Sequence, residues 1–257
     1  MQLRTEARDC LYLNWAVPRA ALPSPPAPLR YELHRWRDVD VVFLSALLFR
    51  LTGLRPTSLP FPALSYPQMS LRLYVLDEES VSSVLFRRVM VPPWVVPISR
   101  FLGRQPARAG LFSFPRPSAE PDVGSWHWSL RGGALSPQVS LAVDAELASP
   151  RHGDGPTLGD WRRTVDYFRR RPRGYVTFEG RLRAIKRSHP TVDVWPLDAQ
   201  VSRHGLLEHL FPQVDPECWT RPHSAWLCPE IPFEFEVGQV DLLPMPRRVP
   251  AAVPDGA

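Results

Sequence analysis

A single lysine is the first group in this chain whose type could do chemistry. Lys186 lies in RLRAIKRSHP, residues 181–190, and it is the only lysine among the 31 lysines and arginines of the sequence. An unprotonated lysine amine forms Schiff bases with carbonyl substrates, and the neighbouring Arg183 and Arg187 could lower its pKa. The predicted strand leads directly into the SHP turn, however, and lysines are rarely buried. The sequence therefore favours a surface lysine and leaves a nucleophile as the alternative.

A second set of polar residues alternates with apolar ones in QMSLRLYVLD, residues 68–77. On a strand, this alternation creates one apolar face and one polar face that carries Gln68, Arg72 and Tyr74. The planar guanidinium of Arg72 suits a carboxylate, so the polar face would form an anion receptor if it is turned toward the interior. A solvated face is equally compatible with the pattern.

Two histidines and two aromatic or basic clusters each allow a functional and a purely structural interpretation. His189 could bind a ligand carboxylate or transfer a proton, or it could simply lie in a turn, and His223 has the same alternatives. In WHW, residues 126–128, the tryptophans share a face, which favours core packing over stacking on nucleic acid bases. The run FRRRPR, residues 168–173, ends a predicted helix, where cations complement the helix dipole.

The sequence shows no metal-ligand spacing and no glycine-rich phosphate loop, so we expect no cofactor and no metal.

Composition and charge restrict the class of protein. The net charge of +5 is spread along the chain, which makes nucleic acid the less favoured partner. Three scattered cysteines suit neither a disulfide framework nor a zinc site, and they indicate a reducing compartment. The N-terminal residues lack the apolar stretch of a signal peptide, and the longest apolar run, residues 41–49, is about half the ~20 residues of a membrane helix. We therefore expect a cytoplasmic protein with no membrane partner.

Short strands with a few helices are the predicted elements, because 31 prolines argue against long helices. The run at residues 39–51 is continuously apolar, which predicts a strand buried on both faces. The best helix covers residues 157–171, with Thr157 at the N-cap and Asp160 at N3. The pattern predicts one α+β, mainly β domain over residues 1–243 with a closed or sandwiched core, followed by a disordered tail over residues 244–257.

Five stretches, in this order, resemble the YqjF-like proteins, an uncharacterised branch of the acetoacetate decarboxylase-like superfamily. They are WAVPRAALPSPPAPL, YPQMSLRLYV, FLGRQPARAGLFSF, GRLRAIKRSHPTVDVWPL and PHSAWLCPEI. The resemblance extends from about Leu11 to Leu243. It implies a β-barrel or double sheet with peripheral helices and a ligand pocket inside. The decarboxylases of the superfamily form a Schiff base between a lysine amine and a β-keto acid.

The resemblance also implies that this chemistry has been lost. The family's proline–lysine–lysine turn matches QPAR, where Ala107 replaces the nucleophile and Arg108 replaces the second lysine. Gln68 occupies the apparent position of a pocket glutamate, and glutamine cannot take up a proton. His189 and His223 match histidines of the family.

The sequence leads to one main hypothesis and two alternatives. In the first, a barrel pocket binds a small anionic organic molecule without imine chemistry, and six residues line it: Gln68, Arg72, Tyr74, Gln105, Arg108 and His189. The first alternative is a lyase or isomerase of keto acids that uses Lys186. The second is a basic adaptor that binds nucleic acid through the helix at residues 161–173 and WHW. The sequence leaves homo-oligomer formation open.

Overall fold

The structure is a computed structural model of the chain. It describes nine ranges, and only the backbone is described at 186–188, 235–236 and 242–244. The ranges are 2–57, 62–101, 105–115, 125–132, 139–153, 155–188, 190, 192–236 and 242–244.

Strands dominate the described chain, and the mainly β class with few helices is confirmed. The strands are β1 (Gln2–Pro18), β2 (Arg30–Tyr31), β3 (Leu33–Trp36), β4 (Val39–Pro56), β5 (Leu64–Leu76), β6 (Ser82–Val91), β7 (Ala107–Ser113), β8 (Trp126–Gly132), β9 (Ser140–Leu147), β10 (Arg173–Phe178), β11 (Arg181–Ser188), β12 (Trp195–Arg203), β13 (Ser224–Glu236) and β14 (Leu242–Pro244). The helices are α1 (Val95–Phe101), α2 (Trp161–Arg169), α3 (Gly205–Leu210) and α4 (Glu217–Thr220), with a 3-10 turn at Arg19–Ala21. In the part of the chain that the structure describes, none of these helices has the length and apolar character needed to cross a membrane.

The strands pair into one mixed sheet. Its order is β14-β11-β10-β6-β7-β8-β9-β12-β13-β1-β4-β5-β2, and β3 pairs with β4. Two further pairings, β5 with β6 and β11 with β13, join strands that lie far apart in this order. β6 runs parallel to β7 and β10, whereas β1, β4 and β5 are antiparallel to their neighbours. Crossovers therefore bring residues from distant parts of the sequence onto neighbouring strands.

Three adjacent strands, β1, β4 and β5, are buried on both faces and so separate two cores. Successive side chains of a strand point to opposite faces, so neighbouring residues enter different cores. The first core includes Leu13, Leu44, Leu73, Trp128 and Leu141. The second core includes Cys10, Tyr12, Phe43, Tyr74, Trp226 and Cys228, together with Val165 and Phe168 of α2. The continuous apolar run of β4 thus serves both cores, as its composition predicts.

Helix α2 starts later than the sequence predicts. Its N-cap is Asp160, whose carboxylate accepts a hydrogen bond from the backbone N–H of Arg163 at 2.8 Å. The predicted N-cap at Thr157 is wrong because Gly159 adopts a φ of +93°, which is incompatible with a right-handed helix. The side chains that cover the second core are therefore confined to the turns after Asp160.

Two other boundaries also differ from the predicted ones. The sequence pattern predicts one strand over residues 174–186. The structure has the hairpin β10–β11 there, because Glu179 and Gly180 turn the chain with φ values of +50° and +70°. Pro244 ends β14, and the rest of the predicted disordered tail lies outside the described residues.

Candidate functional site

A row of polar side chains crosses the second core at its centre. Asn14 on β1 stands in register with Ser45 on β4 and with Ser224 on β13. The amide Nδ2 of Asn14 donates to the Ser224 carbonyl and hydroxyl oxygens at 3.1 and 3.2 Å, and Ser45 Oγ donates to Asn14 Oδ1 at 2.5 Å. All three residues are buried. Polar groups in such a position need hydrogen-bond partners, and here each supplies one to its neighbour.

The row continues onto β5. The Tyr74 hydroxyl lies 2.7 Å from Ser45 Oγ, and Arg72 Nη2 donates to that hydroxyl at 3.1 Å. The Tyr74 hydroxyl also lies 3.2 Å from the Phe168 backbone oxygen. Since the single proton of Ser45 is directed to Asn14, Tyr74 donates to Ser45, its nearer partner. The donors therefore point in one direction, from the charged Arg72 through Tyr74 and Ser45 to Asn14. We call Arg72, Tyr74, Ser45, Asn14 and Ser224 the polar ladder.

Arg72 is the charged end of the polar ladder, and it is only 3% exposed. Its Nη2 also donates to the backbone oxygen of Phe168 at 2.8 Å, near the C-terminal end of α2, and its guanidinium lies 5.4 Å from the Tyr12 ring centroid. Its Nε is buried and has no hydrogen-bond partner. No carboxylate among the described residues forms an ion pair with Arg72. The carbonyl at the helix end offsets part of the charge, and one donor remains unused.

Two more buried arginines lie at the end of α2. Arg169 donates to the backbone oxygens of Val192 and Pro190 at 2.6 and 3.3 Å, and its Nε has no hydrogen-bond partner. Arg171 forms an ion pair with Glu32 at 2.7 Å. Around this helix end, Glu32 is thus the one carboxylate in the described chain that forms an ion pair with these three arginines. This part of the second core carries an excess of positive charge.

Two cysteines lie beside this charge. Cys10 and Cys228 are register partners on β1 and β13, and both are buried free thiols. Burial raises the pKa of Cys228 to about 12 and raises the pKa of Cys10 well above its ordinary value, although the charges of Arg72 and Arg169 oppose that shift for Cys10. Both thiols therefore stay protonated near neutral pH and are poor nucleophiles.

His223 adjoins the other end of the polar ladder. Its Nε2 donates to the Pro156 backbone oxygen at 3.1 Å, which leaves Nδ1 to accept from Ser224 Oγ at 3.4 Å. Burial, and then the neighbouring His152, lower the pKa of His223 to about 4. A Cβ at Gly155 would lie 2.5 Å from the His223 ring, so only glycine fits there. His223 is neutral at physiological pH and fixes the loop in front of α2.

Three of the residues predicted for the site lie together. Gln68, Arg72 and Tyr74 follow the same face of β5, toward the second core. Gln68 Nε2 donates to Ser70 Oγ at 3.1 Å. The structure places Arg72 and Tyr74 in direct contact and Gln68 further along the strand.

The predicted residues around the turn before β7 do not share one face of the sheet. Ala107 is buried in the second core. Arg108, the next residue, is exposed and stands in register with Met90 of the first core. Gln105 is half-buried, and its backbone N–H donates to the Ser99 carbonyl at 3.1 Å. Arg108 therefore does not share the face of Arg72.

The two remaining predicted residues are described incompletely or not at all. The backbone of Lys186 pairs with Arg173 in the β10–β11 hairpin, and its side chain lies outside the described part of the structure. His189 lies outside the described residues.

The sequence interpretation missed Asn14, Ser45 and Ser224. A signal was nevertheless present, because Asn14 interrupts the run LYLNWAV and Ser45 interrupts VVFLSALLF. A polar residue within a strand buried on both faces requires a partner, and the partner is found on a neighbouring strand. That neighbour is set by the sheet order, which the sequence did not provide.

Solved structures of other proteins share this fold, and one of them is an acetoacetate decarboxylase-like enzyme. The enduracididine biosynthesis enzyme MppR with HEPES buffer bound matches with a TM-score of 0.60 at 14% identity, covering 95% of this chain and 88% of that chain. An acetoacetate decarboxylase-like enzyme from Sphingomonas wittichii RW1 matches with a TM-score of 0.56 at 15% identity, covering 95% and 94%. MppR complexed with pyruvate matches with a TM-score of 0.57 at 14% identity, covering 94% and 90%. At these identities the likeness concerns the fold alone.

The family of the chain is identified from its sequence. The chain belongs to the family DUF2071, described as "Uncharacterized conserved protein (COG2071)", whose model matches residues 4–231. This agrees with the resemblance to the YqjF-like branch of the acetoacetate decarboxylase-like superfamily. No curated protein sequence matches the chain significantly.

Proposed function

We propose that this protein binds a small organic anion in the second core, next to Arg72, and that binding proceeds without a Schiff base. The observation that carries the proposal is the charge state of Arg72. This guanidinium is buried, retains an unused Nε donor and has no carboxylate partner in the described chain. An uncompensated buried charge is costly, and an anion next to it would remove much of that cost.

The polar ladder supports binding more than proton transfer. It holds Arg72 through Tyr74, and its direction of donation keeps the guanidinium fixed. A general base needs a pKa near the working pH, and the pKa of His223 is about 4. The arrangement therefore suits a rigid receptor for a planar carboxylate.

The structural relatives also support an acidic ligand. MppR was solved with pyruvate, a small carboxylate, and with HEPES buffer. Transfer of this ligand class to the present chain is part of the proposal, since the likeness concerns the fold alone.

Loss of imine chemistry is the second part of the proposal. Ala107 is buried at the position that the resemblance assigns to the nucleophile, and alanine has no amine. The rival function, a keto acid lyase or isomerase, depends on Lys186, whose backbone lies in the β10–β11 hairpin.

The third part concerns closure of the sheet. We infer that the strands form a barrel, and the pairings of β5 with β6 and of β11 with β13 support this because they link distant parts of the strand order. If the sheet is closed in this way, a ligand would bind in the second core, which lies between the sheet and α2.

Thermal unfolding with pyruvate, acetoacetate and the uncharged amide pyruvamide tests the proposal. A ligand at 100 times its dissociation constant should stabilise the protein by about 2.7 kcal/mol. We expect a rise in Tm with the acids and none with the amide. Borohydride added to the same samples should leave the mass of the chain unchanged, because no imine forms.

Arg72→Gln should abolish the response to the acids, whereas Arg50→Gln should preserve it. Arg50 is a matched control because it is half-buried but has a carboxylate partner, Asp9, at 3.2 Å. If Arg72→Gln does not fold, the comparison of pyruvate with pyruvamide on the wild type still decides. Equal responses to acid and amide, no response to any acid, or a borohydride adduct on Lys186 would contradict the proposal.

A further inference from the structure

A second group of arginines lies on the opposite side of the sheet from Arg72. Arg87 and Arg88 are consecutive on β6, and Arg108 is on the neighbouring β7. Arg88 shares the face of the first core, because its register partner Leu71 belongs to that core. Arg108 stands opposite Met90, two residues along β6 from Arg88, and therefore shares that face.

A β-bulge brings the first two arginines side by side. On β5, Leu71 pairs with Arg88 while the next residue, Arg72, pairs with Phe86, so Arg87 is an additional residue in β6. Bulges re-aim side chains and occur next to functional sites. With strands about 4.8 Å apart and a rise of about 3.3 Å per residue, the Cα atoms of Arg88 and Arg108 are roughly 8 Å apart. Side chains as long as arginine can reach one ligand across that distance.

These three arginines lie close enough to repel one another, and Arg88 keeps an unused donor. Arg88 is half-buried, and its Nε is fully buried without a hydrogen-bond partner. Burial, followed by the charges of Arg108 and Arg87, lowers the pKa of Arg88 from its ordinary value. Among the described residues, none of the three arginines takes part in an ion pair with a carboxylate. Three positive charges therefore lie close together and repel one another.

We propose that Arg87, Arg88 and Arg108 form a binding site for a phosphate group, either free or carried by a small phosphorylated molecule. A phosphate monoester carries close to two negative charges at neutral pH and presents three acceptor oxygens, so it matches several guanidiniums better than one carboxylate does. Arg88 supplies a donor held by the sheet, and the exposed Arg87 and Arg108 leave the group accessible from solvent. This site does not depend on the organic anion proposed at Arg72.

Isothermal titration of the full chain with inorganic phosphate and with glycerol 3-phosphate, at constant ionic strength, tests the site. We expect saturable binding that chloride and acetate at the same ionic strength do not reproduce. Arg108→Gln should weaken the affinity at least tenfold, and its exposed position makes a folding defect irrelevant. Arg88→Gln should have the same effect.

Arg131→Gln is the matched control, with an expected change below twofold. Arg131 is exposed on β8 and stands in register with Leu111, whose position along β7 gives it the opposite face from Arg108. Arg72→Gln should also keep phosphate binding, so the two proposals can fail separately. Absence of phosphate binding by the wild type, or unchanged affinity in Arg108→Gln, would overturn the proposal.

The two phosphate ligands identify the source of the group. Tighter binding of glycerol 3-phosphate than of inorganic phosphate supports a phosphorylated small molecule. Binding of inorganic phosphate alone supports a site for the free ion.

Discussion

His223 joins the polar ladder to the loop in front of α2, and its protonation state decides whether that junction holds. The neutral ring donates from Nε2 to Pro156 and accepts at Nδ1 from Ser224. Protonation would turn the acceptor into a donor that faces the Ser224 hydroxyl and would place a charge in a buried site.

The stability of the folded chain should therefore fall as the pH drops from about 6.5 to about 4. The pKa of His223 is lowered from 6.5 to about 4 on folding, so between these values the unfolded chain binds more protons. The contribution is fully present above pH 6.5 and is lost through the window, by an amount on the order of 3 kcal/mol. Urea unfolding at several pH values measures it.

His223→Gln should flatten this pH dependence, because glutamine can donate to Pro156 without titrating in the window. His127→Gln is the control, since His127 is exposed and lies 2.8 Å from Asp144. If His223→Gln loses stability with falling pH as much as the wild type does, groups other than His223 cause the loss.

At the residue scale, the sequence predicted a polar face with Arg72 and Tyr74 but not what that face meets. Alternation along β5 was sufficient for the first step. The contact of Arg72 with Phe168 joins residues 96 positions apart. Such a contact depends on where α2 docks, which no local pattern encodes.

At the scale of elements, α2 matters most because the backbone oxygen of Phe168, near its C-terminal end, accepts a hydrogen bond from Arg72. Its start is set by the side chain of Asp160, which caps the backbone N–H of Arg163. The helix has nine residues, a length at which the first turn is a large part of the whole.

Asp160→Ala should lower the free energy of unfolding by about 0.5–2 kcal/mol, because one helix N–H loses its acceptor. Asp160→Asn should retain most of the stability, since asparagine caps equally well. Chemical denaturation of the three proteins measures the difference. Equal losses in both variants would mean that the charge of Asp160, rather than its cap, stabilises the helix.

The existence of α2 could be predicted from the helical spacing of Leu158, Trp161, Val165 and Phe168, whereas its first residue could not. Thr157 followed by Asp160 fits a capping pattern, yet Gly159 takes a positive φ and delays the helix. A glycine leaves both backbone conformations open, so the tertiary position of the loop under His223 decides between them.

At the scale of the whole molecule, the three cysteines differ in their exposure to solvent. Cys218 is exposed, and Cys10 and Cys228 are buried in the second core. The thiols should therefore differ in reactivity by their location alone.

A disulfide reagent such as DTNB should modify Cys218 rapidly in the native protein and reach Cys10 and Cys228 only when the chain unfolds. Burial blocks access to both buried thiols, and the raised pKa of each removes the reactive thiolate. Cys218→Ser should leave a native protein without rapid reaction. Fast modification of either buried cysteine in that variant would mean that the second core opens readily.

The mainly β class could be predicted from composition and strand patterns, but the sheet order could not. The strand order crosses from β9 to β12 and from β13 to β1, and these neighbours are far apart in sequence. Pairing of this kind depends on the whole set of strands, so it emerges only from the folded chain.

The double burial of β1, β4 and β5 limits how this protein can change. On a strand with one wet face, a shift of one position moves apolar groups into water, which is costly but local. Here it would move Asn14 and Ser45 among the leucines of the first core and push Leu13 and Leu44 toward Arg72. An insertion or deletion next to Asn14 or Ser45 should therefore strongly destabilise the fold. Exchange of a single side chain leaves the strand register unchanged.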